Sequence, residues 1–340
     1  MRKMKEMKRL GIMIGLILVV AIIFAGGYFI PEYPEKPTNV PLKTTDDLIL
    51  ATEFPESPKE VSIIAIEKPP LLTEEWAIEV ASHFVDTLRK QKIERENDGA
   101  YWVKSDGAMV QAFPSGALIY SANLPDVREG EEITGSEACK IARRFIEDHG
   151  GMPSDAYLAG TDVLTGINRA TGDKKVKAYR FEFYHDFNGI PIRGSGGDSI
   201  KVTMNSYGEE RYYFNLWRKP TNIVESKPII SGEEAFEILQ QRGRPIIKYL
   251  GDIYITKVQL VYYSAPFDKG MQEKLLPAWR FRVTGKAVSN DTEVEVNEAK
   301  DMFIYIDAQT GEILLPREAN IQPAPILDND EERELEKFRR

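Results

Sequence analysis

The sequence predicts an α+β fold: a single N-terminal transmembrane helix followed by an extracytoplasmic region of repeated helix-plus-antiparallel-sheet units. Three observations carry this prediction. Leu10 to Ile30 is a 21-residue run without a charge. Three helix openings recur, TEEWAIEVA from Thr73, TGSEACKIA from Thr134 and SGEEAFEIL from Ser231. Behind each come β-branched and aromatic runs broken by glycine and proline, the pattern of strands joined by tight turns.

The N-terminal tip, residues 1–9, holds Arg2, Lys3, Lys5, Lys8 and Arg9 against Glu6 alone. At about 1.5 Å rise per residue the apolar run covers roughly 32 Å, enough to cross a bilayer. The basic flank then places the tip in the cytoplasm and everything after residue 31 outside, so the expected location is the cell membrane, single-pass. Ala25, Gly26 and Gly27 offer a signal-peptide cleavage site, but the length of the run favours an uncleaved anchor. Gly11 and Gly15 form a small-xxx-small face suited to helix pairing.

Residues 31–68 contain Pro31, Pro34, Pro37, Pro41, Pro55 and Pro58 and read as an extended stalk. Three units follow, at 69–128, 129–224 and 225–317, and a charged tail closes the chain at 318–340. Each unit opens on a Thr or Ser N-cap with acids in the first turn. Thr134 with Glu137, and Ser231 with Glu234, fit the capping box, whereas Trp76 breaks it in the first copy. The apolar residues behind each cap share one face: Ala77, Val80, Ala81, Phe84, Val85 and Leu88; Ala138, Ile141, Ala142, Phe145 and Ile146; Ala235, Ile238 and Leu239. Gly150, Gly151 and Gly243 are the expected helix stops. Strands are predicted at 100–103, 108–113 and 117–122 in the first unit, then in KAYRFEFYHDF, IKVTMN and ERYYFNLW. The third unit supplies ITKVQLVYYS, PAWRFRVT and the hairpin FIYIDAQTGEIL, residues 303–314.

That third unit, with its closing Asp-x-x-Thr-Gly turn at Asp307 to Gly311, resembles the PepSY repeat of peptidase propeptides and membrane-anchored regulators. In the second unit, YRFEFYHDFNGIPIRGSGGDSIKV at 179–202 resembles a strand pair of thermolysin-like propeptides and of YycI-type regulators. The resemblance implies a non-enzymatic regulatory or inhibitory module whose partner is a sensor kinase ectodomain or an exported peptidase. A module binding a small molecule or an envelope polymer is the alternative.

The search for chemistry agrees with a non-catalytic reading. His83, His149 and His185 lie far apart, and no metal or cofactor set is expected. Gly194-Ser195-Gly196-Gly197-Asp198 lacks both the helix that a phosphate cradle feeds and the spacing of a nucleophile elbow, so it reads as a hairpin or bulge loop. Cys139 is the sole cysteine and reads as a small buried hydrophobe on a helix. Asn290-Asp291-Thr292 fits a glycosylation sequon. The net charge of −9 opposes nucleic acid as a partner. Among the aromatics, Tyr212, Tyr213 and Phe214 are consecutive, so at least one turns away from its neighbours. Tyr212 and Tyr213, with Gly194, Gly196 and Asp198, are the candidate partner-binding residues.

Overall fold

The computed structural model describes residues 44–45, 48–84, 92–105, 107–122, 131–167, 174–194, 196–243, 246, 250–287 and 296–314. The membrane run 10–30, the sequon at 290–292, the tail 318–340, Val85 and Leu88 lie outside these residues.

An eight-stranded antiparallel sheet contains β4 (Lys92–Arg95), β5 (Tyr101–Ser105), β6 (Ala108–Ala112), β7 (Leu118–Ala122), β8 (Tyr157–Ile167), β9 (Lys174–Tyr184), β12 (Ser199–Asn205) and β13 (Glu210–Leu216). Its order is β4-β5-β6-β7-β13-β12-β9-β8. A ten-stranded sheet has the path β1 (Thr44–Thr45), β2 (Leu48–Leu50), β15 (Leu250–Tyr263), β16 (Lys274–Ala287), β17 (Val296–Asp307) and β18 (Ile313–Leu314). Off this path lie β3 (Glu60–Ile66), β10 (Asp186–Phe187), β11 (Ile190–Arg193) and β14 (Pro220–Pro228). Among the described residues three α-helices cover the sheets: α1 (Glu74–Ser82), α2 (Gly135–Asp148) and α3 (Gly232–Arg242).

This architecture corrects the predicted class. About half of the described residues are strand, so the fold is mainly β and not α+β. The physical reason is strand pairing across the expected unit boundaries. Tyr213 of β13 pairs with Tyr120 of β7, which fuses the strands of the first two units into one sheet. The expected stalk is corrected in part as well, because Leu48, Ile49 and Leu50 pair in parallel with Ile253, Tyr254 and Ile255. Leu48, Leu50, Val61, Ile64 and Ile66 are all buried, and that apolar burial outweighs the extended preference of the prolines around them. The membrane-helix and signal-anchor readings find no support among the described residues, where no helix is long and apolar enough to cross a membrane. With 9, 14 and 11 residues, the three helices are all shorter than a bilayer core demands.

The helix openings behave as their sequences dictate. Thr134 and Ser231 each accept from the N–H of the residue three on, and Glu137 and Glu234 return a carboxylate to the cap N–H, completing both boxes. On α1 the Thr73 hydroxyl accepts from the Trp76 N–H, without a returning carboxylate. The buried faces are Ala77 and Ala81, then Ala138, Ala142 and Ile146, then Ala235, Phe236 and Leu239. Cys139, half-buried on α2, packs against the second of these cores.

Units two and three are built alike to the level of single hydrogen bonds. The N–H of Ile133, just before the α2 cap, bonds the Ser206 carbonyl (2.9 Å), and that of Ile230, before the α3 cap, bonds the Ala308 carbonyl (2.8 Å). The carbonyls of the same two isoleucines accept from Tyr179 Oη (2.8 Å) and Trp279 Nε1 (2.9 Å). In the hairpin turns, Asn205 Oδ1 and Asp307 Oδ1 each collect two backbone N–H groups. Gly208 (φ 86°) and Gly311 (φ 72°) turn each hairpin in the left-handed region, and an added Cβ there would press on Ile141 and Ile238, the matching helix residues.

Candidate functional site

The two sheets meet where the chain passes from one to the other and back. After β9 it enters the ten-stranded sheet through β10 and β11, where Ile192 and Arg193 pair in parallel with Tyr262 and Tyr263, and then returns as β12. Gly194 to Asp198 is therefore a crossover between sheets rather than a hairpin tip. It crosses tightly: a Cβ on Gly194 would stand 1.7 Å from the Ser264 carbonyl oxygen, and one on Gly197 would stand 2.4 Å from Ser264 Oγ.

Beneath the crossover lies a buried polar network. Asp198 is fully buried and accepts from the Arg218 N–H. Arg218 Nη1 lies 3.4 Å from Asp198 Oδ2, donates to Ser264 Oγ, and donates to the Ala265 carbonyl at 2.9 Å. Burial opposes the Asp198 charge, but the His185 ring and the Arg218 guanidinium outweigh it and hold the carboxyl below the usual aspartate range. His185, also fully buried, is stacked on Trp217 at 4.0 Å, with Nδ1 3.2 Å from Asp155 and Nε2 3.5 Å from Asp198. Asp186, next to His185 in the chain, instead accepts from the Tyr157 hydroxyl (2.8 Å) and pairs with Arg193 (3.7 Å). With both ring nitrogens turned to carboxylates and no exposed edge, His185 braces the sheets. Among the described residues no group of His, Cys, Asp and Glu converges as metal ligands.

Beside this brace, Ile66 to Pro70, Ser115, Gly116, Leu216 to Lys219 and Gln272 line a cavity of about 170 Å³.

The candidate residues divide accordingly. Gly194, Gly196 and Asp198 come together at the crossover, but only Gly196 is exposed. Tyr213 is fully buried against α2, which corrects its reading as partner-facing: the alternation that lines β13 with β7 and β12 turns it inward. Tyr212 points to the opposite face, packs against the Phe113–Phe214 cluster, and has its hydroxyl pushed up to about 12 by burial. Arg218, Ser264 and Asp155 are not signalled by the sequence, since their partners are 20 or more residues away.

The free edges form a second feature. Most are blunted: β1 and β18 have two residues each, β4 reads KIER, and β14 has a proline at either end. By contrast β8, YLAGTDVLTGI, runs 11 residues at the end of its sheet with no proline and no lysine. Tyr157, Leu158 and Val163 are exposed on it, Val163 at 47%. Asp162 carries its single charge and lies opposite Arg180 of β9.

Crossover, brace and double sheet define a mainly β, two-sheet protein with a polar seam. No family model matches the sequence, and no curated protein matches it. Among solved structures, an uncharacterized protein from Eubacterium rectale matches with a TM-score of 0.50 at 12% identity, over 80% of this chain and 91% of that one. That likeness concerns the fold alone.

Proposed function

We propose that this chain works without catalysis, by binding another protein as a regulator or inhibitor, and that the edge of β8 receives an extended segment of that partner. The observation that carries the reading is the long proline-free edge between the register shifts at Leu158/Gly160 and Leu164/Thr165, whose outward backbone N–H and C=O groups form a template for one more strand. Leu158, Thr161 and Val163 lie opposite Phe183, Phe181 and Tyr179, on the face that α2 covers. An added strand with apolar residues at alternate positions would extend that apolar face. The PepSY-like and YycI-like stretches favour a sensor kinase ectodomain or an exported peptidase as the partner. A photo-crosslinking side chain at Thr161, compared with one at Glu225 on β14, tests this in cells. The expected result is one kinase or peptidase trapped from Thr161 alone and lost with Val163→Lys. Equal capture from both positions would overturn the reading.

A second reading, a module for a small molecule, draws on the cavity beside Trp217 and Arg218. A ligand that raises the melting temperature of the wild type but not of a Trp217→Ala variant would favour it.

A further inference from the structure

Units two and three share one plan beyond the helix cap. Leu158, Thr161 and Val163 of β8 lie opposite Phe183, Phe181 and Tyr179 of β9, and Ile255, Val258 and Leu260 of β15 lie opposite Val283, Phe281 and Trp279 of β16. Both pairings slip at the matching place, between Leu158 and Gly160 and between Ile255 and Lys257. On the helices, Cys139 and Phe236 each stand five residues after the cap. β8 is therefore the counterpart of β15, and Cys139 that of Phe236.

The two edges differ in what covers them. On its outer side β15 pairs with β2 at Ile253 to Ile255 and with β11 at Tyr262 and Tyr263, and both neighbours run parallel to it. Leu48 and Leu50 of β2 are buried in one core with Ala235, Phe236 and Leu239 of α3. The Ala51 N–H then bonds the Ile255 carbonyl (2.9 Å), and the Phe54 ring lies 5.8 Å from that of Phe236. Outside β8 the described residues place no strand. Exposure records the difference: Ile255 is 0% exposed and its counterpart Leu158 37%. Val258 is buried and its counterpart Thr161 exposed, and Phe236 is buried where Cys139 is half-buried.

We infer that the start of β8, from Ala156 to Thr161, receives an extended apolar segment of a partner protein that runs parallel to β8, as β2 runs parallel to β15. That the segment belongs to a partner rests on the protein-binding reading above; its direction, register and chemistry rest on the filled edge of β15. Two apolar side chains, two residues apart, turn under α2, the second of them beside Leu158. The N–H of the next residue bonds the Leu158 carbonyl, and a large ring four residues after the second apolar one closes over Cys139, where a cysteine in place of phenylalanine leaves room for it. Charge does not oppose such a guest, because Asp162, the one charged residue of β8, lies on the other face, across from Arg180. Leu48 to Leu50 of this chain are already engaged on β15, so the segment comes from another molecule.

The test uses the purified full chain and a labelled peptide copying residues 47–56, DLILATEFPE, the segment that fills the equivalent edge. Fluorescence anisotropy should show saturable binding below about 1 mM, and binding should slow alkylation of Cys139, the sole cysteine. Leu158→Asp, at an exposed side chain, should weaken the peptide about tenfold or more. Ile223→Asp on β14, also exposed and making the same change in charge, should alter it less than about twofold. A photo-crosslinking side chain at the first residue of the peptide should mark this chain before Leu158, and one at the sixth should mark it after. No binding up to about 1 mM, an equal loss with Ile223→Asp, crosslinks to β15, or crosslinks in the reverse order would each overturn the inference. The peptide assay needs no cellular partner, so its failure removes the parallel apolar segment and leaves the Thr161 crosslinking result to stand or fall separately.

Discussion

Gly194→Ala isolates the sheet crossover from every other feature of the fold. Gly194 has no positive φ, so alanine fits its backbone conformation and the whole effect is one of space. The added Cβ would lie 1.7 Å from the Ser264 carbonyl oxygen and 2.7 Å from its carbon, against a practical floor of 3.0 Å. The two segments must therefore part by at least 1.3 Å, the difference between 3.0 and 1.7 Å, and neither atom belongs to a side chain that could swing aside. Parting them strains the bond from the Ser264 N–H to the Arg193 carbonyl (2.9 Å) and that from Arg218 Nη1 to the Ala265 carbonyl (2.9 Å). Overpacking of about 1–3 kcal/mol and about 1 kcal/mol for each weakened bond give roughly 3–5 kcal/mol. At about 2–4 °C per kcal/mol in a chain of this size, the melting temperature should fall by roughly 10 °C. Gly160→Ala is the control, because its Cβ would meet only Glu182 Cβ at 3.9 Å. Differential scanning calorimetry of the two variants decides: a Gly194→Ala midpoint within about 2 °C of the Gly160→Ala midpoint would refute the crossover as a tight joint.

Three further outcomes follow from the same contacts. Asp198 has a folded pKa below its ordinary 3.8, so its contribution is present above that ordinary value and lost as pH falls through the folded one. The melting temperature should hold from about pH 7 to 5 and drop below about pH 4, and Asp198→Asn should lower the plateau while making the acid drop shallower; an unchanged drop would exclude Asp198 as its source. Tyr213→Ser empties a fully buried ring site in the α2 core and should cost about 3–5 kcal/mol in urea denaturation, so any binding defect in that variant would report on folding. Tyr179→Phe and Trp279→Phe each remove the donor to the carbonyl before a helix cap, Ile133 and Ile230 respectively; the first should cost about 1–2 kcal/mol, and the second about 2–4 kcal/mol, because it also leaves a void where a fully buried indole stood. Lying in different sheets, the two losses should add within about 0.5 kcal/mol, and a strongly non-additive double variant would contradict the independence of the two units.

Local chemistry was legible in the sequence wherever partners lie within a few residues of one another. The capping boxes at Thr134 and Ser231, the alanine-centred helix faces, and the turn closed by Gly311 are all short-range features, and each forms as its residues dictate. The recurrence of the helix opening likewise signalled the likeness of units two and three, although not that Tyr179 and Trp279 do the same work. Strand pairing across long sequence separations belonged to the tertiary structure. Nothing near Tyr120 announces that it lies beside Tyr213, and nothing near Leu48 announces β15, yet those pairings turn expected helix-sheet units into two large sheets and draw part of the proline-rich segment into a core. The same holds for function. Gly194 and Asp198 caught the eye as a possible ligand loop, but the Ser264 carbonyl and the Arg218 guanidinium, brought in from 46 residues apart, make them a joint. The open β8 edge could not be read from composition, because edge position is a property of the assembled sheet: alternation says that a residue has two sides, and only the fold says which side and which edge remain uncovered.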